Sequence, residues 1–389
     1  MRPIYMDNHA TTPIDPRVLD KMMPFLTDEC GNPSSLAHAY GRRAQAAIDD
    51  ARAAIAGFLG AASPTEIVFT SGATEANNLA VLGAVPSLKA RGDHIVTSKL
   101  EHKAVLDPVR VLEREGFRAT LIAPKADGVV DAVIVGDAMG DKTVFVSVML
   151  ANNEVGTVNA VHEIGALCRT RGVIFHCDAV AGAGRVPFVA TDVDLASVSA
   201  HKMYGPKGIG ALYVRAGCAE LWPLHHGGGQ ERGLRPGTLN VPAIVGFGEA
   251  ARIARAEMEV EAARILALRE RMRAALVARV PHVYVHGSVE RRLPGNLSIA
   301  FDFVEAKRLL ALVENDVALS MGSACTAASL EPSHVLSALG IARDRAMSTI
   351  RICIGRFNSA DDVDRVVALL VDRVSQLRGD NPSWRAIGG

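Results

Sequence analysis

Long apolar runs, an excess of charge of one sign and closely spaced cysteines are all missing from this chain of 389 residues. No apolar run approaches the ~20 residues that a membrane-spanning helix needs, and the N-terminus lacks a charged-then-apolar leader, so we expect no membrane association. The 42 basic and 42 acidic side chains cancel. Composition therefore gives no reason to expect a nucleic-acid partner or an anionic membrane surface.

The spacing of the cysteines disfavours two further classes of protein, those built on structural zinc and those built on disulfides. None of the six cysteines forms a Cys-x-x-Cys pair, which disfavours a structural zinc site or a disulfide framework and fits a reducing, cytoplasmic location. Most of them are expected to be small buried hydrophobes, but small residues surround Cys325 on both sides and predict a mobile, exposed loop. Its reactivity would still require the thiolate form. The six are Cys30, Cys168, Cys177, Cys218, Cys325 and Cys353.

What is present is a regular alternation of helical and strand patterns from about residue 16 to 255, which predicts an α/β fold with a mostly parallel sheet covered on both faces. After the glycines at 227–229, a long helical stretch (241–280) and shorter strands predict a second, smaller α+β domain. We expect residues 15–257 to form the large domain, and residues 1–14 and 258–389 the small one. The predicted strands are 66–70, 94–98, 144–150, 174–178, 195–199, 208–214, 283–285, 296–301 and 350–354, and the other predicted helices are 44–59, 74–82, 102–115, 305–314 and 360–377.

Lys202 follows a predicted strand and is then followed by the turn sequence Tyr-Gly-Pro-Lys-Gly. A lysine at the end of a buried strand is costly unless it is neutralised or consumed chemically, and an imine with an aldehyde cofactor does both. A surface lysine beside a turn is the alternative. The flanking Ser199 and His201 can serve a phosphate, which favours the cofactor interpretation.

Asp178 strengthens that interpretation. It ends another apolar strand, 24 residues before Lys202, and ligands of open α/β sheets bind beyond the carboxyl ends of the strands. A carboxylate there can keep a pyridine nitrogen protonated, as pyridoxal phosphate chemistry requires. A lone aspartate after a strand is usually a helix cap. Asp178 and Lys202 together therefore support cofactor binding more strongly than either residue does alone.

A phosphate site is predicted where a strand passes into a helix at residues 71–75. Free backbone N–H groups and the helix dipole favour an anion there, and Thr74 adds a hydroxyl. Many helices begin in this way, so the motif is weak by itself. No Gly-x-Gly-x-x-Gly follows a strand, so a single phosphate fits better than a dinucleotide.

Four further polar residues follow or interrupt predicted strands. His102 begins a helix and is placed to stack on a cofactor ring or relay a proton, or else to face solvent. Asn152 and Asn153 offer amides for a substrate carboxylate or a cofactor oxygen, although asparagine also forms ordinary turns. Arg351 alternates out of an apolar strand, where it would clamp a carboxylate or form a structural salt bridge.

With these motifs in view, the chain resembles the cysteine desulfurases, the pyridoxal-phosphate enzymes of iron–sulfur-cluster and nitrogen-fixation systems within the class V aminotransferase group. The resemblance covers nearly the whole chain, and Ser-Ala-Cys-Thr at 323–326 followed by Ser-Leu-Glu-Pro-Ser at 329–333 is typical of desulfurases with a long cysteine loop. Its other motifs are Tyr-Met-Asp-Asn-His-Ala-Thr-Thr at 5–12, Gly-Asn-Pro-Ser-Ser at 31–35, Ser-Gly-Ala-Thr-Glu at 71–75, and Arg351.

The resemblance implies a homodimeric enzyme of fold-type I, with a mostly parallel seven-stranded sheet in its large domain. It implies Cys325, Lys202 and His102 as catalytic residues. The substrate carboxylate would be held by Asn32, Asn153 and Arg351. The implied pyridoxal 5'-phosphate ligands are Ala73, Thr74, His102, Asn153, Asp178, Ser199, His201, Lys202 and, from the other subunit, Thr238.

The implied function is removal of sulfur from L-cysteine to give L-alanine and a persulfide on Cys325, for delivery to sulfur-acceptor proteins such as an iron–sulfur scaffold. A transaminase or a selenocysteine lyase is an alternative, although transamination needs no catalytic thiol. A catalytically weakened sulfur-relay scaffold is another, because Ala181 replaces the glutamine that the family places against the cofactor's phenolic oxygen. The sequence does not identify the sulfur acceptor, nor does it show whether Cys325 transiently ligates a cluster.

Overall fold

The computed structural model describes residues 2–322 and 331–386. Cys325 and its neighbours at 323–330 therefore lie outside the described residues. The strands are β1 (Ile4–Tyr5), β2 (Ile67–Thr70), β3 (His94–Ser98), β4 (Arg118–Ile122), β5 (Thr143–Ser147), β6 (Ile174–Asp178), β7 (Leu195–Ser199), β8 (Gly210–Val214), β9 (Val283–Val285), β10 (Asn296–Phe301), β11 (Val317–Ala318) and β12 (Thr349–Cys353).

Helices cover the sheets that these strands form. Several begin with a side-chain cap, and α2 ends at Gly60, whose left-handed φ of 69° favours glycine. The α-helices are α1 (Pro16–Leu26), α2 (Ala39–Leu59), α3 (Ala73–Asn78), α4 (Lys103–Arg114), α5 (Ala132–Ala138), α6 (Val161–Thr170), α7 (Val241–Arg279), α8 (Ala306–Val313), α9 (His334–Ala338), α10 (Arg343–Met347), α11 (Ala360–Gly379) and α12 (Pro382–Ala386). A π-helical turn, Leu79–Gly83, directly continues α3.

The main sheet has seven strands in the order β2-β8-β7-β6-β5-β3-β4. Strand β8 is antiparallel to both of its neighbours, and the other pairs are parallel. Every residue of β5, β6 and β7 is buried, as strands covered on both faces require. The predicted mostly parallel, seven-stranded sheet is confirmed.

Three strands of this sheet have the limits that the sequence predicts. The structure has β3, β6 and β7 with the predicted bounds. The prediction for 144–150 runs three residues too far, because β5 ends at Ser147 and the chain then approaches the loop at Asn152. The edge strand β4 was not predicted, since its exposed and half-buried residues lack a continuous apolar run.

A second hydrophobic core surrounds the antiparallel sheet β12-β10-β9. Helix α7 contributes to both cores: its first half packs with α1 and α2 over the main sheet, and its second half packs over the small sheet with α8 and α11. The domain limits derived from the sequence remain a prediction. Within the described ranges, no helix combines the length and apolar character needed to cross a bilayer.

Candidate active site

A cavity of about 500 Å³ opens at the carboxyl ends of β6 and β7. Its position is the one expected for a ligand of an open α/β sheet. Nine residues singled out from the sequence line it: Ala73, Thr74, His102, Asn153, Asp178, Ser199, His201, Lys202 and Arg351.

Lys202 lies one turn beyond the end of β7, in a short 3₁₀ segment. Its Nζ donates to the backbone oxygens of His9 (2.5 Å) and Ala10 (2.8 Å). Burial, followed by the positive charges of Arg185 and Arg351, lowers the pKa of Lys202 to about 8. A substantial fraction of the amine is therefore neutral, and so nucleophilic, near physiological pH.

Asp178 ends β6 and is buried. Asn77 Nδ2 donates to its Oδ2 at 2.7 Å, and the Val180 N–H donates to its Oδ1 at 3.1 Å. Asn77 itself is 1% exposed, and its Oδ1 has no partner within the described residues. The carboxylate is thus held by α3 from one side while it lines the cavity on the other.

The phosphate site predicted at residues 71–75 lies at the cavity wall, between β2 and α3. Gly72 has a φ of 151°, and a Cβ on Gly210 would lie only 2.8 Å from the Gly72 Cα. Glycine at 210 lets the loop lie directly on β8, whereas glycine at 72 permits the positive φ. Glu75 fixes it further, because its carboxylate accepts from the Ser71 N–H (2.6 Å) and from Arg235 (2.8 Å).

Polar groups face this loop from the end of β7. His201 Nδ1 lies 3.1 Å from Thr11 Oγ1, and burial together with the charges of Lys202 and Lys207 lowers the pKa of His201 to about 4. Lys207 also lines the cavity. The imidazole is therefore neutral at pH 7, and Lys207 is a cavity residue that can offer a positive charge to a phosphate.

His102 is the N-cap of α4. Its Nδ1 accepts from the Ala104 N–H at 3.1 Å, so the neutral ring carries its proton on Nε2. The ring also lines the cavity. His102 therefore caps the helix and is at the same time available to a ligand in the cavity.

The two asparagines after β5 have separate roles. Asn152 builds the turn, since its Oδ1 accepts from the Glu154 N–H at 2.9 Å and the Val155 N–H at 3.0 Å. Asn153 lines the cavity, and its carbonyl accepts from Arg351 Nη1 at 3.2 Å. The turn-forming alternative thus describes Asn152, whereas Asn153 is available to a ligand.

Arg351 is 1% exposed and lines the cavity. Its Nη2 forms an ion pair with Asp7 at 2.7 Å, so the structural salt bridge that the sequence allowed is present. Its Nε has no partner within the described residues. The two contacts with Asn153 and Asp7 use one N–H of each terminal nitrogen, so the guanidinium has further N–H donors for a ligand carboxylate.

Two predicted residues do not line this cavity. Asn32 is exposed in a turn, where its Oδ1 accepts from the Ser34 N–H at 2.9 Å. Thr238 is also exposed, and its predicted partner site belongs to another subunit. Their roles stay predictions, as does that of Cys325.

Two residues that the sequence reasoning did not select belong to the site. His9 is 2% exposed, and burial lowers its pKa well below the ordinary histidine value. Asn77 holds Asp178 from the interior of α3. The N-terminal motif at 5–12 was a signal for His9, whereas nothing distinguishes Asn77 from a surface helix residue in the sequence.

Ala181 lies at the cavity wall, 7% exposed, and packs with Ala151 and Leu293. The methyl side chain of Ala181 has no polar atom that could bind a ligand. The departure from the family glutamine therefore falls inside the site.

The donor set fits pyridoxal 5'-phosphate. Asp178 is available to the pyridine nitrogen, Lys202 to the aldehyde, and Ser199, Thr74 and His201 to the phosphate. A buried carboxylate with a remaining acceptor position, lining the same cavity as a partly neutral lysine, is the combination that this cofactor requires.

Comparison with known proteins agrees with this geometry. The aminotransferase class-V family model matches residues 4–366. Cysteine desulfurase IscS of Anaeromyxobacter dehalogenans (strain 2CP-C) is 52% identical over 388 residues, covering 99% of this chain and 96% of the relative. The protein of the same name from Methylococcus capsulatus (strain ATCC 33009 / NCIMB 11132 / Bath) is 49% identical over 385 residues, covering 98% and 95%.

Solved structures show the same fold. A NifS-like protein superposes with a TM-score of 0.90 at 36% identity, covering 97% of this chain and 100% of that one. The structure titled "SspA in complex with cysteine" superposes with a TM-score of 0.79 at 38% identity, covering 92% and 100%. The chain belongs to the class V aminotransferase family and, within it, to the cysteine desulfurases.

Proposed function

We propose that this chain is a pyridoxal-phosphate-dependent enzyme that takes sulfur from L-cysteine, releases L-alanine and holds the sulfur as a persulfide on Cys325. The convergence of Lys202, Asp178 and Arg351 on one cavity carries the proposal. The desulfurase relatives support the choice of substrate.

When bound, the cofactor supplies an electron sink for bonds broken beside the amino group of the substrate. Lys202 would carry the cofactor and then move the substrate α-proton, for which a pKa of about 8 suits it. Asp178, fixed by Asn77, would keep the pyridine nitrogen protonated. His102 would exchange a proton at Nε2, since its Nδ1 is occupied by the helix cap.

Arg351 and Asn153 would hold the substrate carboxylate. The terminal nitrogens of Arg351 each have an N–H beyond the one bound to Asn153 or Asp7, and the Asn153 amide lines the same cavity. Asp7 keeps the guanidinium in place by its ion pair at 2.7 Å, so the clamp is preorganised before substrate arrives.

The sulfur step is balanced without an external oxidant. The Cys325 thiolate attacks the substrate sulfur, an S–S bond forms and the carbon–sulfur bond breaks. The electron pair passes to the substrate carbon, which is then protonated to give alanine. One cysteine and one enzyme thiol thus yield one alanine and one persulfide.

We also propose that two copies pair so that Thr238 of each joins the phosphate site of the other. The exposed position of Thr238, away from the cavity of its own chain, supports this arrangement. The persulfide sulfur would pass to acceptor proteins of iron–sulfur-cluster assembly. The described cysteines are free, which suits a reducing, cytoplasmic compartment.

Borohydride reduction tests the cofactor assignment. Purified protein should be yellow, and reduction should fix the cofactor mass on the peptide that contains Lys202. Fixation on Lys99 or Lys207 instead would contradict the assignment, and a Lys202→Arg protein serves as the control.

Product analysis tests the reaction. Incubation with L-cysteine should give alanine, and sulfide should appear only when a reductant is added. Cys325→Ser should still bind cofactor and substrate but form little alanine, whereas Cys30→Ser, which changes an exposed cysteine, should keep full activity. Undiminished alanine formation by Cys325→Ser would show that Cys325 does not take the sulfur.

A further inference from the structure

Glu154 is a buried acidic residue, 3% exposed, in the loop between β5 and α6. Its backbone is fixed on both sides: its N–H donates to Asn152 Oδ1 at 2.9 Å, and its carbonyl accepts from Asn296 Nδ2 at 3.0 Å. The start of its side chain is therefore rigidly placed, and its carboxylate has no role in the chemistry derived above.

That carboxylate meets both flanks of the segment that contains Cys325. Ser333, at the C-terminal flank, donates its hydroxyl to Glu154 Oε2 at 2.5 Å. Gly322, at the N-terminal flank, lies so close that a Cβ there would be 2.8 Å from the same oxygen. One carboxylate oxygen thus binds Ser333 and lies beside Gly322. Within the described ranges, Ser333 is the only side chain that donates to this oxygen.

The same loop and the neighbouring strand carry the proposed substrate clamp. Asn153 precedes Glu154, and its carbonyl accepts from Arg351 Nη1 at 3.2 Å. Ser320, just before Gly322, pairs with the Arg351 backbone, and its hydroxyl donates to Asp7 Oδ1 at 3.1 Å. The flanks of the Cys325 segment are therefore attached to the groups that would hold the substrate.

We propose that Glu154 is a positioning residue for sulfur transfer, whose carboxylate holds Ser333, and packs beside Gly322, at the loop that carries Asn153. The proposal rests on the proposed function, because it assumes that Cys325 receives the sulfur. It adds that the placement of this thiol depends on an acidic residue that does not itself line the cavity.

The first test measures thiol placement without requiring activity. Iodoacetamide modification of Cys325 is followed by peptide mass spectrometry, with the exposed Cys30 of the same molecule as reference. In Glu154→Ala and Ser333→Ala, the Cys325-to-Cys30 rate ratio should change at least about threefold, and the double variant should change it no further. Glu154→Gln keeps an oxygen that can accept from Ser333, so its ratio should stay within about twofold.

The second test measures the chemical step. For Glu154→Ala, kcat for alanine formation should fall at least about tenfold, while KM for L-cysteine and the absorbance change on cysteine binding stay within about twofold. The control is Glu113→Ala, at an exposed position near the end of α4, which should match the parent in both tests.

An unchanged Cys325-to-Cys30 modification ratio in folded variants would overturn the proposal. If the parent is active, a changed ratio together with an unchanged kcat in Glu154→Ala would overturn it as well. If Glu154→Ala does not fold, Ser333→Ala removes the same hydrogen bond from the other side. If the parent protein forms no alanine, the proposed function fails, and the modification ratio alone then decides whether Glu154 positions Cys325.

Discussion

The Lys202 amine should lose its proton near pH 8 in the cofactor-free protein, against 10.5 for an ordinary lysine. Burial is the largest cause, and the positive charges of Arg185 and Arg351 follow. At pH 7.5 about a quarter of Lys202 would be neutral, compared with roughly one in a thousand for an exposed lysine. The amine should therefore react with aldehydes and acylating reagents on the order of 200 times faster than its ordinary pKa would allow.

The same shift affects stability. Between pH 8 and 10.5 the unfolded chain keeps a proton on Lys202 that the folded protein has lost, so the free energy of unfolding should rise with pH over that window. The full change corresponds to about 3 kcal/mol. Below pH 8 the folded state bears the whole cost of the buried ammonium.

Trace acetylation at a series of pH values measures this directly. The modification rate of Lys202 is followed by peptide mass spectrometry, with the exposed Lys99 as an internal reference. Arg185 donates to the Lys202 carbonyl at 2.9 Å, and Arg185→Met should move the Lys202 midpoint to higher pH because it removes a neighbouring positive charge. A midpoint near 10 in the parent, or an unmoved midpoint in the Arg185 variant, would refute the reasoning.

Three further changes have defined outcomes. Asn77→Leu removes the 2.7 Å hydrogen bond to Asp178. Since a hydrogen bond to a charged group is worth about 1.5–3 kcal/mol, fluorescence titration should show that cofactor affinity falls by at least about tenfold. Unchanged affinity would contradict the role of Asn77. Burial raises the pKa of Glu101 well above its ordinary value, so the folded protein holds a proton there that the unfolded chain loses above about pH 4.5, and stability falls as pH rises. In thermal unfolding, the stability of Glu101→Gln relative to the parent should accordingly increase as the pH rises above about 4.5, and a constant difference would contradict this. Ala181→Gln should shift the visible absorbance titration of the holoenzyme to lower pH, because it restores a donor to the deprotonated cofactor oxygen; an unchanged curve would mean that another group already fills the position.

Sequence reasoning found those site residues whose placement follows from the topology of a parallel sheet. Asp178 and Lys202 follow buried strands with the predicted limits, and the carboxyl ends of neighbouring parallel strands meet at one edge. Their convergence on a cavity could thus be anticipated without coordinates. Mostly parallel order could be anticipated as well, because strands and helices alternate along the chain.

Other residues could not be found in this way, because their contacts depend on long-range packing. The His9 carbonyl meets the Lys202 amine across 193 positions of sequence. Asn77 lies in the interior of a helix, where asparagine carries no signal of its own. Arg185 contacts the Lys202 carbonyl from a loop beyond β6, and neither its spacing nor its neighbours predict that contact.

Arg351 shows why a structural and a functional interpretation of one residue need not exclude each other. A buried guanidinium without a partner would destabilise the folded protein whenever no substrate is bound, and the ion pair with Asp7 at 2.7 Å prevents this. The same ion pair fixes the orientation of the guanidinium at the cavity wall. The salt bridge and a role in substrate binding are therefore compatible, and the role of Arg351 in substrate binding remains a prediction.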